Sequence, residues 1–218
     1  MNRILKLRQT DASKVYMTSD WHLFHNPMWP VPIWKMRGFN SLDESNDFIV
    51  DSINETVSAN DHMFNLGDPS LNCTESQFEE LLSKIQCQNI YLLWGNHASP
   101  SWKIYQREID KINKWSNISN EEIEIYPFRY RNLIFIGNYA EIVVDGQFIC
   151  LSHYPMNSWN NMAKGSIHCH GHIHSTKETY KFEGKKIDVG MDYHMKPVSF
   201  NEIRKILSKL EIKHEGHH

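Results

Sequence analysis

The chain has 218 residues, 40% hydrophobic and 22% charged, which is ordinary composition for a protein that buries one sizeable core. Its net charge of −3, from 23 basic and 26 acidic residues with no long run of either sign, leaves no electrostatic footprint for a long nucleic acid. No stretch reaches the roughly 20 consecutive apolar residues of a membrane-spanning helix.

The N-terminal stretch MNRILKLRQT lacks the apolar run of a signal peptide, so a cytoplasmic protein is the expectation. Residues 14 to 20, KVYMTSD, read as a buried strand running into a loop. HMFNLGD at 62 to 68 and NIYLLWGNH at 89 to 97 repeat that form: an apolar strand, then Gly or Ser, then Asp, Asn or His. Helices are expected between them. Ser41 with Glu44, and Thr74 with Gln77, have capping-box spacing. Behind them Ile49, Ile53 and Val57, then Phe78, Leu81, Leu82 and Ile85, recur at helical intervals. Residues 101 to 115 read as a third helix. Strand, helix, strand, helix, strand argues for a largely parallel sheet covered by helices.

The later half has a different texture. Asp145-Gly146 lies between two apolar runs, a hairpin signal, and Glu183-Gly184 repeats it. A helix capped by Ser199, with Glu202 as box partner, closes the chain. One domain over residues 1–218 is expected, α/β in class, with two sheets packed face to face. Residues 211–218, which carry His214, His217 and His218, read as a frayed tail. The four cysteines, Cys73, Cys87, Cys150 and Cys169, form no C-x-x-C pair and are expected to be reduced and buried.

The 13 histidines are the compositional outlier, and several follow predicted strands. Asp20 and His22, Asp68, Asn96 and His97, His153, and His172 and His174 all sit just past an apolar run. Strand ends of α/β sheets are where sites form, because the sheet holds the roots of otherwise variable loops. Alone, each group has a plainer reading: a solvated turn for Asp-x-His, an Asp bonding its own backbone after Gly67, a positive-φ turn at Gly-Asn-His, a core histidine at 153. All of them in order on successive strand ends favours one shared metal-binding purpose. In HCHGHIH, residues 168 to 174, Gly171 is expected to bend the chain. That leaves His168 and His170 at the strand's end and places His172 and His174 in the loop beyond.

The order Asp-x-His, Gly-Asp, Gly-Asn-His, His, Gly-His-x-His resembles that of the calcineurin-like metallophosphoesterases, in the small single-domain type of bacteria and phages. The segments SDWHLFH, LGD, GNH, LSHYP, GHIHS and IDVGMDYHMKPVS carry the likeness from residue 14 to about 203. The resemblance implies a four-layer α/β/β/α sandwich, two mixed sheets face to face with helices outside. It also implies a dinuclear centre: Asp20, His22, Asp68 and His174 on one metal, Asp68, Asn96, His153 and His172 on the other, with Asp68 bridging. His97 would stand beside the pair as the acid. Two departures stand out. Ala98 replaces the family's usual carboxylate after Gly-Asn-His, which would leave His97 less firmly oriented, and GDPSLN lacks the further Asp, Arg or His that relatives often carry there.

Carboxylate, imidazole and amide oxygen without cysteine suit two divalent transition-metal ions. Manganese is the expected metal, with iron, zinc or nickel as alternatives. Cations sharing a carboxylate stand ~3.5–4 Å apart and bring the pKa of a bridging water towards ~7, so hydroxide attack on a phosphate ester is the expected chemistry. The expected substrate is a small monoester or diester of nucleotide type, without membrane or long nucleic acid. A nuclease or protein phosphatase using the same centre, and a silent scaffold, are the alternatives. Residues 25 to 39, rich in Trp and Pro, either wedge Trp29 and Trp34 onto the protein or overhang the metals, with His25 or Arg37 reaching a phosphate. Trp159 is a further candidate for the cleft wall, and His194 is left unassigned.

Overall fold

The apolar runs fold as strands, and each gives way to loop where its polar residues begin. The computed structural model describes residues 4–26, 31–97, 99–116 and 126–213. The tail histidines, Trp29 and Ala98 lie outside the described residues. In chain order come β1 (Leu5–Leu7), β2 (Val15–Thr18), α1 (Ile33–Met36), α2 (Leu42–Thr56), β3 (His62–Asn65), α3 (Glu75–Ser83), β4 (Asn89–Leu93) and α4 (Ser99–Ser116). The second half supplies β5 (Phe128–Tyr130), β6 (Leu133–Gly137), β7 (Tyr139–Val144), β8 (Gln147–Ser152), β9 (Ile167–His170) and β10 (Lys186–Asp188). The order closes with α5 (Met191–His194), β11 (Val198–Ser199) and α6 (Phe200–Ser208).

These strands build two mixed sheets. The six-stranded sheet runs β11-β2-β3-β4-β6-β5, parallel from β2 through β6 and antiparallel at both edges. The five-stranded sheet runs β1-β7-β8-β9-β10, with β7 and β8 its antiparallel pair. Side chains alternate across each strand, which sorts them into two cores. Val15, Met17, Phe64 and Leu93 meet Ile142, Ile149, Leu151, Ile167 and Cys169 between the sheets, where α6 adds Phe200, Ile203 and Leu207. Tyr16, Met63, Ile90 and Leu92 point the other way, against Ile49 and Ile53 of α2, Phe78 and Leu82 of α3, and Ile104 and Tyr105 of α4. The sandwich implied by the resemblance is present. On the outer face of the five-stranded sheet Cys150 packs with Trp159 and Met162 of the loop before β9.

Helix starts follow the sequence. Thr74 with Gln77 and Ser199 with Glu202 form complete capping boxes. At α2 only half forms: Ser41 accepts from the Glu44 N–H, while the Glu44 carboxylate turns to the Asn40 N–H at 2.7 Å. The Asp145-Gly146 turn joins β7 to β8 with both residues at positive φ, 48° and 84°, the geometry a two-residue hairpin needs. The hairpin expected at Glu183-Gly184 does not form. There β10 pairs parallel with β9, and the Tyr180 hydroxyl does what a partner strand would: it accepts from the Asp188 N–H at 3.1 Å and donates to the Lys186 carbonyl at 3.2 Å. All four cysteines are free thiols; Cys87, Cys150 and Cys169 are buried and Cys73 half-buried. Among the described residues no helix is long and apolar enough to cross a membrane.

Candidate metal centre

Asp20 and His22 follow β2, Asp68 follows β3, Asn96 and His97 follow β4, His153 follows β8, and His172 and His174 follow β9. Loops from the C-terminal ends of both sheets therefore meet. Backbone bonds stitch them together: Asp20 N–H to Gly67 carbonyl at 3.0 Å, His22 N–H to Asp68 carbonyl at 3.0 Å, and Gly171 N–H to His153 carbonyl at 3.0 Å. Across the sheets, the His172 N–H donates to Asp20 Oδ2 at 2.9 Å. The turns are tight enough that Asp20, His22, Asp68, His172 and His174 all adopt positive φ, between 47° and 73°. Non-glycine residues there cost of order 1–3 kcal/mol each, strain that clusters at functional sites. Two glycines make the approach possible. A Cβ on Gly95 would stand 1.9 Å from Asp68 Oδ1, and one on Gly171 would stand 2.2 Å from Asp20 Oδ2.

The side chains converge on Asp68 from two directions. Asp20, His22 and His174 bring one ligand atom each within 4.8 Å of one another, and so do Asp20, Asp68 and His153. Asp68 Oδ2 lies 3.8 Å from His22 Nε2 and 3.4 Å from His153 Nε2, between the two groups. On the second side, Asn96 Oδ1 is 2.9 Å from His153 Nε2 and 3.0 Å from His172 Nδ1. His153 Nδ1–H donates to the Leu66 carbonyl at 3.0 Å, so in the neutral ring Nε2 turns a lone pair toward the Asn96 oxygen and Asp68. Asp20 Oδ1 and both nitrogens of His22 are buried without a hydrogen-bond partner among the described residues. Buried lone pairs facing lone pairs are costly unless a cation lies among them. This donor set, oxygen and imidazole without thiolate, fits divalent transition metals.

The electrostatics agree. Burial alone would raise the Asp20 carboxyl, but the imidazoles of His22, His174 and His153 outweigh it and hold it at about 2. Asp68 is likewise lowered, its burial overcome by His153 and the His97 N–H. Burial keeps His22 and His172 below the usual imidazole range. For His153 and His174 the facing carboxylates reverse the effect of burial and raise the pKa, Asp68 and Asp20 for the one, Asp192 and Asp20 for the other. Two ionised carboxylates thus stand among imidazoles.

Around this centre lie residues the sequence placed with mixed success. The His97 ring stands 5.6 Å from that of His22, half-buried, while the backbone N–H of His97 donates to Asp68 Oδ1 at 2.7 Å. His25 joins the same group, 4.7 Å from the His22 ring and 5.9 Å from that of His97, with its buried Nδ1 unpartnered among the described residues. Arg37 does not turn to the open side, because its guanidinium is taken up by Asp192 and backbone carbonyls. Residues 33 to 36 form one helical turn despite the prolines, and Trp34 donates to Asn26 Oδ1 at 3.2 Å. Trp159 is no cleft wall: it is buried beneath the five-stranded sheet and donates to the Ser166 carbonyl. His194 bonds the Asp188 carbonyl at 3.0 Å. Asp188, Asp192 and Ser175 escaped the sequence reading. Ser175, next to His174, donates to Asp188, whose carboxyl burial raises to about 6. A polar residue one step past a ligand was the available signal.

Comparison with known proteins concerns the chain as a whole. A family model described as calcineurin-like phosphoesterase matches residues 13–214. No curated protein sequence matches. Among solved structures, one from Aquifex aeolicus, described as the protein of unknown function AQ665, is similar in fold with a TM-score of 0.60 at 18% identity, covering 89% of this chain and 99% of that one.

Proposed function

The chain belongs to the calcineurin-like phosphoesterases, and from that premise we propose that it is a dinuclear, metal-dependent phosphoric ester hydrolase acting on a small nucleotide-type monoester or diester. The carrying observation is the pair of ligand groups that share Asp20, one of them holding Asp68 within 3.8 Å of His22 of the other, with Asp20 Oδ1 and both His22 nitrogens buried and unpartnered among the described residues. Asp20, His22, Asp68 and His174 would hold one ion; Asp68, Asn96, His153 and His172 would hold the other, with manganese the expected metal. Bound there, two cations supply hydroxide at neutral pH and positive charge against the phosphoryl oxygens.

The chain's own groups do the rest. The Leu66 carbonyl fixes the His153 tautomer, and the His97 N–H fixes one oxygen of Asp68 so that the other faces both groups. His97 would carry the proton for the departing oxygen, with the His25 ring 5.9 Å from its own. For the leaving group, the half-exposed Tyr154 ring, 4.5 Å from that of His172, offers a face on which a base can stack. A net charge of −3 leaves little to hold a duplex, which favours the small substrate over a nuclease role.

The test is purified, chelator-treated protein given manganese and then a chromogenic phosphomonoester or phosphodiester. Turnover that appears with manganese and disappears with chelator supports the hydrolase, and the preferred ester distinguishes monoesterase from diesterase. Metal bound with no turnover of either ester would overturn the small-substrate reading in favour of the nuclease, protein phosphatase or scaffold.

A further inference from the structure

Arg37 lies on the short segment after α1, and its guanidinium is almost fully buried, with 2% of the side chain exposed. Its hydrogen bonds run in two directions. Nε and Nη2 form a fork onto the Asp192 carboxylate at 3.1 and 3.0 Å, while Nη1 and Nη2 reach the carbonyls of Trp21 at 2.9 Å and Asp20 at 2.6 Å. Asp192, on the one-turn α5, also accepts from His174 Nδ1 at 2.8 Å. His174 Nε2 then faces Asp20 Oδ1 at 4.0 Å. The chain of contacts closes on itself: Asp20 carbonyl, Arg37, Asp192, His174, Asp20 carboxylate.

A buried ion pair is a poor way to stabilise a fold, since desolvation consumes most of the Coulombic gain. α1 and α5 are single turns, so the pair is not the seam between two long elements. What it does hold is the separation and orientation of two ligands of one ion. On the other side of Asp68 the His153 imidazole is oriented by a neutral carbonyl, that of Leu66.

Building on the dinuclear reading above, we propose that Arg37 and Asp192 are positioning residues for one metal of the pair, the ion held by Asp20, His22 and His174, and make it the more tightly held of the two. Asp192 fixes the His174 tautomer with Nδ1 as donor, leaves Nε2 to the metal, and increases the imidazole's basicity as a ligand. Arg37 holds the Asp192 carboxylate in its fork and ties it to the Asp20 backbone. A lysine cannot reproduce that fork.

The experiment is calorimetric titration of the chelator-stripped protein with manganese, comparing the wild type with Asp192→Asn, which keeps size and shape, and with Arg37→Gln. The wild type is expected to show a tight and a weaker class. In Asp192→Asn the tight class weakens about 10–100-fold and the weaker class does not move; Arg37→Gln weakens the same class. Thermal unfolding in chelator shows whether either variant is folded, and a folded Arg37→Gln carries the test alone should Asp192→Asn fail to fold. Unchanged affinities in a folded variant, or equal loss in both classes, would overturn the proposal while leaving the hydrolase intact. No manganese uptake by the wild type would overturn both.

Discussion

At the scale of single residues, the centre depends on atoms that differ in what their loss removes. In the proposed dinuclear centre Asp68 serves both ions, so its removal would take an oxygen from each. His97 touches the centre through its backbone, while its ring packs beside those of His22 and His25, placed to handle a proton in the proposed reaction. General acid help is worth about 10²–10⁴ in rate. Accordingly Asp68→Ala is expected to abolish turnover, and His97→Ala to leave slow turnover that still requires metal, as steady-state rates with and without chelator would show. Equal residual rates in the two variants would contradict this ordering. Most of these side chains were legible in the sequence because each follows an apolar run directly; the common direction that two-residue spacing gives an extended chain does not carry over, since Asp20, His22, His172 and His174 all sit in positive-φ turns. Arg37 and Asp192 were not. From the sequence Arg37 reads as reaching for a phosphate, and only the packing of two distant loops buries it against Asp192.

Among the elements, β9 shows why a row of histidines need not be a row of ligands. Ile167 and Cys169 face the core between the sheets, so His168 and His170 fall on the outer face, and the bend at Gly171 sends His172 and His174 to the centre. His168 is a satisfied neutral ring: Nε2 accepts from the Met156 N–H at 3.1 Å and Nδ1 donates to the Cys150 carbonyl at 3.2 Å. Burial, then the neighbouring His170, depress it to about 3. Its ordinary pKa is about 6.5, so the stability it contributes is complete above that pH and is lost as pH falls toward the folded value, at up to about 1.4 kcal/mol per pH unit. Urea unfolding of chelated protein between pH 7 and pH 5 should show a slope that includes this proton alongside those of other depressed histidines such as His170, and His168→Gln should flatten it by about one proton. An unchanged slope would show that the ring is already charged in the fold. The same reasoning explains the one hairpin the sequence misplaced. Glu183-Gly184 has turn composition, but only the three-dimensional reach of Tyr180 reveals that a hydroxyl satisfies the edge of β10.

For the whole molecule, the two sheets place the centre where backbone bonds between the loops and the close packing of Gly67, Gly95 and Gly171 leave the side chains little freedom. Helices and the sandwich were readable from capping boxes and strand runs; the pairing partner of each strand was not, because it depends on contacts far apart in the chain. Like charges at Asp20 and Asp68, and strained turns around them, are offset when cations bind, so the folded state should gain from metal. At a hundredfold excess over Kd, one ion adds about 2.7 kcal/mol, which for a chain of this size raises Tm by roughly 5–10 °C. Differential scanning calorimetry with manganese and with chelator reads that shift, and coincident transitions would argue against metal in the native fold. The most direct test is the location of the ions themselves by anomalous diffraction from crystals grown with manganese. The account predicts two peaks about 3.5–4 Å apart on either side of Asp68, one beside Asp20, His22 and His174 and the other beside Asn96, His153 and His172; a single peak, or peaks away from Asp68, would contradict it.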